Sequence, residues 1–290
     1  MPAFTTRLAD GWQRALGVLP LALVPLAFAL TDVGKIRSVV AFDGVHVGFR
    51  LGLPVSVVTP WQFVSVPQTG VNVDAGVPLD ALPLAVVTVP LFVVVQAALT
   101  AGYFGAIADH LAFGEYRFVD NAVTYFGPFL VLTALPVLLL LPFALGLFGL
   151  GVAGGGVGAL LPFVVLSVPV VVAVAYLFFV TPYLVVLRET GLVDAARGSY
   201  ALAVSGGPYL AYAAGVAGFV LLVSPLATVL VVSVPLVGLP VVFLGGSVLG
   251  LALNVTTMRF VSDVDGTVPP LGDWPDDHSA ADADVEDDER

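Results

Sequence analysis

The chain has 290 residues, 59% of them hydrophobic and 11% charged, with a net charge of −11 and no cysteine. Ordinary soluble domains carry about 25% charged residues, so a soluble globular protein is excluded. The missing thiols exclude disulfides, thiolate metal sites and a cysteine nucleophile. No basic patch is present, so nucleic acid is not expected as a partner.

The acids are 17 Asp and 4 Glu, against nine Arg and the single Lys35. An acidic, lysine-poor exterior suits high salt, where a Debye length of about 3 Å at 1 M screens self-repulsion. A halophilic setting is expected. An acidic tail on a mesophile's membrane protein is the other reading.

Residues 4–16 read as a short interfacial helix. Phe4, Leu8, Trp12 and Leu16 share one face, while Arg7, Asp10 and Arg14 share another. An uncharged run over 15–31 follows as a first span. A signal peptide ending at Ala27-Phe28-Ala29 is its rival. In residues 32–80, the Asp43-Gly44 turn pairs Phe42 with Val45, Val40 with Val47, and Ser38 with Phe49. Further β-like runs lie at 55–58, 62–66 and 71–73. These predict a small β-rich extracellular cap on the bilayer surface, anchored by Trp61.

A second span is expected over 81–107. Residues 121–187 then run without one Asp, Glu, Lys, Arg or His. A hydrocarbon core of about 30 Å takes about 20 apolar residues per helix, so this run holds two spans, 125–150 and 158–185. They turn at the glycine cluster of residues 151–156. A second charge-free run, 198–258, holds spans 207–232 and 236–257. The expected domains are a six-span membrane domain over 1–262 and a disordered acidic tail over 263–290, which has no apolar period.

Arg7, Arg14, Arg117, Arg188, Arg197, Arg259 and Arg290 fall on one side of this layout, against Lys35, Arg37 and Arg50 on the other. Positive loops stay inside, which places both termini in the cytoplasm of a multi-pass cell-membrane protein. Asp10, Asp120 and Asp194 each precede a half-polar turn, then Pro20, Pro128 or Pro208, then a span. Their spacings of 110 and 74 residues differ by about the length of the insertion at 32–80. The layout therefore reads as an internal repeat of three hairpins.

The segment Pro182-Tyr183-Leu184-Val185-Val186-Leu187-Arg188-Glu189-Thr190-Gly191-Leu192-Val193-Asp194-Ala195-Ala196-Arg197-Gly198-Ser199-Tyr200 ends one span and opens the next helix. It resembles six-span prokaryotic membrane proteins, haloarchaeal ones among them. These are related to the membrane domain of some glycerophosphoryl diester phosphodiesterases. The resemblance implies a six-span fold and brings no catalytic residue, and the phosphodiesterase domain is absent.

His46, His110 and His278 are too dispersed to share a metal. Asp109-His110 with Glu115 and Asp120 could bind a cation, but a solvated loop is the commoner explanation. Asn254-Val255-Thr256 matches a glycosylation acceptor at the inner end of the last span, where it is discounted. No carboxylate or base falls inside a span, which argues against an ion-driven pump. Gln96 is the candidate lining group near a midplane. Gly246-x-x-x-Gly250, Ala98-x-x-x-Gly102 and Ala211-x-x-x-Gly215 are small faces for helix packing.

The fold class expected is all-α integral membrane, six spans in three hairpins, with the β-rich insertion and the disordered tail. No catalytic, cofactor-binding or metal residue is assigned, and no cofactor or enzymatic activity is expected. The function expected is a membrane scaffold or partner subunit. The alternative is a transporter or permease component for a small or lipid-like solute. Partners are the lipid bilayer and other membrane proteins.

Overall fold

The computed structural model describes residues 3–67, 82–152, 161–268 and 270–271. Eleven α-helices lie in them: α1 Phe4–Gly17, α2 Leu23–Thr31, α3 Val33–Val40, α4 Leu82–Phe113, α5 Phe118–Thr124, α6 Phe126–Val152, α7 Leu161–Phe178, α8 Thr181–Leu187, α9 Leu192–Ser205, α10 Pro208–Ser233 and α11 Pro235–Val264. Four helices are long and apolar enough to cross a membrane: α4, α7 continued by α8, α10 and α11. Two more stretches qualify only as bent pairs, α1 with 19–31 at 99° and α5 with α6 at 69°. This is a multi-pass membrane architecture.

The bends have local causes. Pro20 enters the 3-10 turn Leu19–Ala22 between α1 and α2, and Pro128 lies in the first turn of α6. Gly206 and Gly207 carry φ of +67° and +57° between α9 and α10, a conformation that side chains disfavour. Pro208 then starts α10. Lacking an amide, proline fits a first turn, where that amide would have no helical partner.

Three of the shorter helices, α1, α5 and α9, seat on neighbouring spans. α1 packs on α11, α5 on α4, and α9 on α7 and α8. A Cβ at Gly102 would come within 2.8 Å of the Phe118 carbonyl oxygen. Gly105 faces Asn121, and Gly11 faces Thr256 and Ala252. Small residues let the helix backbones approach closely.

The orientation of α1 corrects the amphipathic expectation. Its buried residues are Arg7, Gly11 and Ala15, while Trp12 and Leu16 are exposed. Packing matters here more than the apolar stripe. Exposed Trp12 and Leu16 are compatible with a lipid surround, whereas Arg7 and Asp10 need ionic partners and find them on α11.

The β-rich cap is not formed, as no strand occurs among the described residues. Asp32 caps α3 by accepting from the Lys35 amide at 3.1 Å and pairs with the Lys35 ammonium at 2.7 Å. The helix so started consumes Ser38, Val39 and Val40, the residues meant for the first strand. Residues 50–66 then pass between the helices, after an exposed stretch at 43–49. The run at 71–73 lies outside the described residues, as does most of the turn at 151–156.

The tail boundary also moves. α11 continues seven residues past the expected end at 257, to Val264. Asp263 pairs with Arg7 and Asp265 with Arg188. Leu271 is buried, its amide donating to Ser262 Oγ at 3.1 Å. Residues 263–271 therefore belong to the folded body at the positions described, and 272–290 lie outside the described residues.

Candidate functional site

Residues 50–66 form a hairpin-like loop between the helices, extended except for the 3-10 turn Pro60–Phe63. Its arms run past each other, with Gly48 against Ser65 and Gly52 against Gln62. They do not form a ladder. Local turns take the amides of Val55, Gln62 and Val64, and helix side chains take others. The Arg50 amide donates to Ser224 Oγ at 2.9 Å and the Ser65 amide to Thr228 Oγ1 at 2.8 Å, both on α10. At the tip, the Val58 amide donates to Asn254 Oδ1 at 3.0 Å, and Asn254 Nδ2 donates to the Ser56 carbonyl at 3.1 Å. The Tyr183 hydroxyl donates to the Pro54 carbonyl at 3.2 Å.

Asn254 is the centre of this arrangement. It is 0% exposed. Besides the two hairpin bonds, its Oδ1 accepts from Tyr103 at 3.1 Å and its Nδ2 donates to the Tyr183 oxygen at 2.7 Å. A carboxamide has two donor hydrogens and two acceptor lone pairs, and all four are used. Asn254 lies 19 residues into α11, about 28 Å from its start at 1.5 Å per residue. Non-helical backbone at such depth persists only where its polar groups are satisfied inside the protein.

Glycines make room for the hairpin. A Cβ at Gly250 would run into the Val58 carbonyl oxygen, and one at Gly246 would come within 3.1 Å of Pro60 Cβ. The Gly246-x-x-x-Gly250 face thus seats a loop, where the sequence suggested a helix. Near the α10–α11 turn, Trp61 Nε1 donates to the Ala29 carbonyl at 2.9 Å, and its ring meets Phe243 edge-on with centroids 5.2 Å apart. Trp61 is a buried pin of the hairpin, not a surface anchor. Val57, Val58, Phe63 and Val64 are also buried, while Val55 and Ser56 at the tip stay exposed.

Beyond Asn254, five residues along α11, begins an ionic layer. Arg259, 1% exposed, pairs with Asp10, which also holds Arg14 at 3.0 Å. Arg7, 3% exposed, pairs with Asp263 at 2.7 Å and lies 5.3 Å from the Phe260 ring centre. Tyr212 stacks on the other aromatic surface of that site, 3.9 Å from Phe260, and its hydroxyl shares a 2.9 Å hydrogen bond with Thr257.

The Arg188-to-Ser199 segment is explained by the same layer. Arg188 forks onto both oxygens of Asp265. That hydrogen bonding raises its pKa above the ordinary value, with desolvation opposing. To reach Asp265 the guanidinium crosses α9 at Gly198, where a Cβ would lie 2.7 Å from Arg188 Nη1. Ser199 Oγ donates to the Leu177 carbonyl at 2.7 Å. Glu189, at φ +48°, ends α8 with amide bonds from Glu189 to Val186 and from Thr190 to Val185, the pattern of a left-handed helix cap. A cavity of about 420 Å³ opens here, lined in part by Glu189, Thr190, Asp194 and Thr267.

The other candidates resolve as packing. Asp109 accepts from Asn121 at 2.6 Å and from Arg117 at 3.2 Å, and Glu115 pairs with Arg117. These acids thus hold the α4–α5 loop, and no group of three or more potential metal ligands occurs among the described residues. His110 lies beside Gly17, His46 packs on Phe42, and His278 lies outside the described residues. Gln96 is half-buried on α4. Gly215 of the third small face receives Phe4. Sequence reasoning missed Asn254, which was set aside as a glycosylation acceptor. The signal was present: a lone carboxamide deep in an apolar helix, one turn from Gly250.

No family model, curated protein or solved structure matches the chain.

Asn254→Leu keeps the branched heavy-atom skeleton, adds bulk, and strands the Val58 amide, the Ser56 carbonyl and the Tyr103 hydroxyl. Each buried polar group left unpaired costs about 1–3 kcal/mol. The expected loss is at least about 3 kcal/mol, or a fall in Tm of about 6 °C or more in detergent. Arg197→Ala, which removes an exposed pair with Asp194, serves as the control and leaves Tm unchanged.

Proposed function

We propose that the chain is a non-catalytic membrane scaffold or partner subunit. The observation that carries this is the commitment of Asn254. This fully buried carboxamide spends every hydrogen-bonding position on holding residues 50–66 and two tyrosines. The hairpin in turn fills the space between the helices that a solute path would need. Core hydroxyls serve structure in the same way. Ser224 and Thr228 accept hairpin amides, and Ser247 and Thr256 donate back to their own helix.

Three helical hairpins forming six spans remain the preferred layout. Its support is the circular order of packing, in which each short helix sits on the long helix that ends the preceding unit, α1 closing the ring on α11. The arginine distribution supports cytoplasmic termini, and the acidic, lysine-poor composition supports a high-salt setting. The likeness of 182–200 to six-span prokaryotic membrane proteins belongs to the same proposal.

Liposome flux tests the scaffold. Purified protein in vesicles should leave the permeation of urea, glycerol and protons at the level of empty vesicles. Saturable flux of any of them would replace the scaffold with the transporter alternative. Orientation is tested separately on the cysteine-free background. Asp43→Cys should react with a membrane-impermeant maleimide on intact cells and Ser279→Cys only after lysis; the reverse pattern inverts the topology.

A further inference from the structure

We propose that α1, α5 and α9 form a collar that lies in the phospholipid headgroup layer at one end of the bundle, with their outward faces against lipid. The collar stands apart from the scaffold reading and holds equally for a transporter.

Contacts put the three helices at one end. α1 crosses the last part of α11, where Gly11 faces Thr256, Asp10 pairs with Arg259 and Arg7 with Asp263. Thr256 and Asp263 lie 21 and 28 residues past the start of α11, about 32 and 42 Å along it at 1.5 Å per residue. A hydrocarbon core is about 30 Å thick and the headgroup regions bring the bilayer to about 40–45 Å, so this crossing falls at the headgroup level when α11 starts at the opposite boundary. α5 joins the same level. Asp109, near the end of α4, accepts from Asn121 of α5 at 2.6 Å, and a Cβ at Gly17, the end of α1, would lie 3.3 Å from His110 Nε2. α9 joins through Arg188, four residues before it, which pairs with Asp265 just past α11. The axis of α1 turns by 99° into Leu19–Thr31, and that of α5 by 69° into α6. Both therefore lie across the spans.

The faces of α1 are inverted relative to a helix on a water surface. Arg7, Asp10 and Gly11 turn inward, and Ala9, Trp12 and Leu16 turn outward. α9 buries Ala195, Gly198, Ser199 and Ala203. It exposes Val193, Arg197, Tyr200 and Val204, whose spacings of four, three and four make one helical stripe. α5 turns Asn121 in and Val119 and Val123 out, with Tyr116 exposed just before it. The four outward valines are 62–74% exposed, so the bundle itself does not cover them. Each helix presents aliphatic side chains beside one exposed aromatic ring, Trp12, Tyr116 or Tyr200. Trp and Tyr concentrate at the membrane–water interface, where the ring has an apolar body and a polar tip. The surface also continues into that of the spans, through exposed Leu19 past α1 and Leu210 at the start of α10. Arg197, the one charge on the α9 stripe, donates to Asp194 through Nη1 at 3.1 Å. A guanidinium has five N–H groups, and the remainder suit the oxygens of a lipid phosphate.

The test uses single cysteines in the full chain, which has none of its own. Leu16→Cys, Val123→Cys and Val204→Cys are each labelled with bimane and reconstituted into phosphatidylcholine vesicles. Leu222→Cys, exposed near the middle of α10, calibrates depth. Nitroxide on the lipid headgroup should quench the three collar labels at least about twofold more than nitroxide at the acyl-chain end, which lies about 15 Å deeper at the midplane. Leu222→Cys should show the opposite order. Collar labels quenched by aqueous iodide and by neither lipid place these faces in water and overturn the proposal. Labels shielded from iodide and from both lipids are covered by protein, a second copy or a partner, which also overturns it. So does stronger quenching from the acyl-chain end. Where a label unfolds the chain, Trp12→Cys, Val119→Cys or Val193→Cys on the same face takes its place.

Discussion

Lipid offers no hydrogen bonds, and a loop with only a short 3-10 turn bonds few of its own backbone groups. Residues 50–66 enter the bundle under that constraint, and the surrounding residues are arranged to meet it. Hydroxyls at Ser224 and Thr228 sit one helical turn apart on α10 and receive one amide from each arm. The Asn254 carboxamide bridges the tip. Gly246 and Gly250 bring α11 close enough for these bonds to form. Removing the carboxamide would leave partners stranded on the hairpin and on α4, so one side chain couples parts of the chain about 200 residues apart.

The charges obey the same rule in stronger form. Arg259, Asp10, Arg7, Asp263 and Asp265 are nearly or fully buried, and each has an opposite charge in contact. Replacing a whole buried pair by apolar residues is often neutral, whereas removing one partner costs about 3–5 kcal/mol. The layer therefore specifies position more than it adds stability. It fixes the amino-terminal helix to the end of α11 and draws residues 263–265 into the fold. Arg188 extends the fixing to α8, passing a glycine whose missing side chain leaves room for the guanidinium.

Much of the helical order was legible. Long uncharged runs, prolines in first turns and glycine breaks follow from backbone chemistry; they locate α6 and α10 closely, and the starts of α4 and α11, though those two helices run six and seven residues past the expected ends at 107 and 257. Residues 45–66 were not legible for a physical reason. Alternating apolar residues with turn signals describe any extended segment, and the sequence does not say whether its amides bond a neighbouring strand or a distant hydroxyl. Ser224, Thr228 and Asn254 lie more than 150 residues from their partners. α1 misled differently. Arg7 and Asp10 share a charged face in the sequence, and only the positions of Arg259 and Asp263 show why that face packs on α11. Asp263 and Asp265 were grouped with the acidic tail because composition averages over the few residues that dock.

The seating of the hairpin on α11 is tested most directly by a disulfide. A Cβ at Gly246, eleven residues into α11, would lie 3.1 Å from Pro60 Cβ, close to the mean Cβ separation of about 3.8 Å in disulfides. The chain has no other cysteine to confuse the result. Pro60→Cys with Gly246→Cys, oxidised mildly in native membranes, should cross-link almost completely, shown by proteolysis between the two sites followed by non-reducing electrophoresis. If both thiols stay free and the residue 60 thiol reacts with an impermeant maleimide from the aqueous side, residues 50–66 lie on the bilayer surface and the account is wrong.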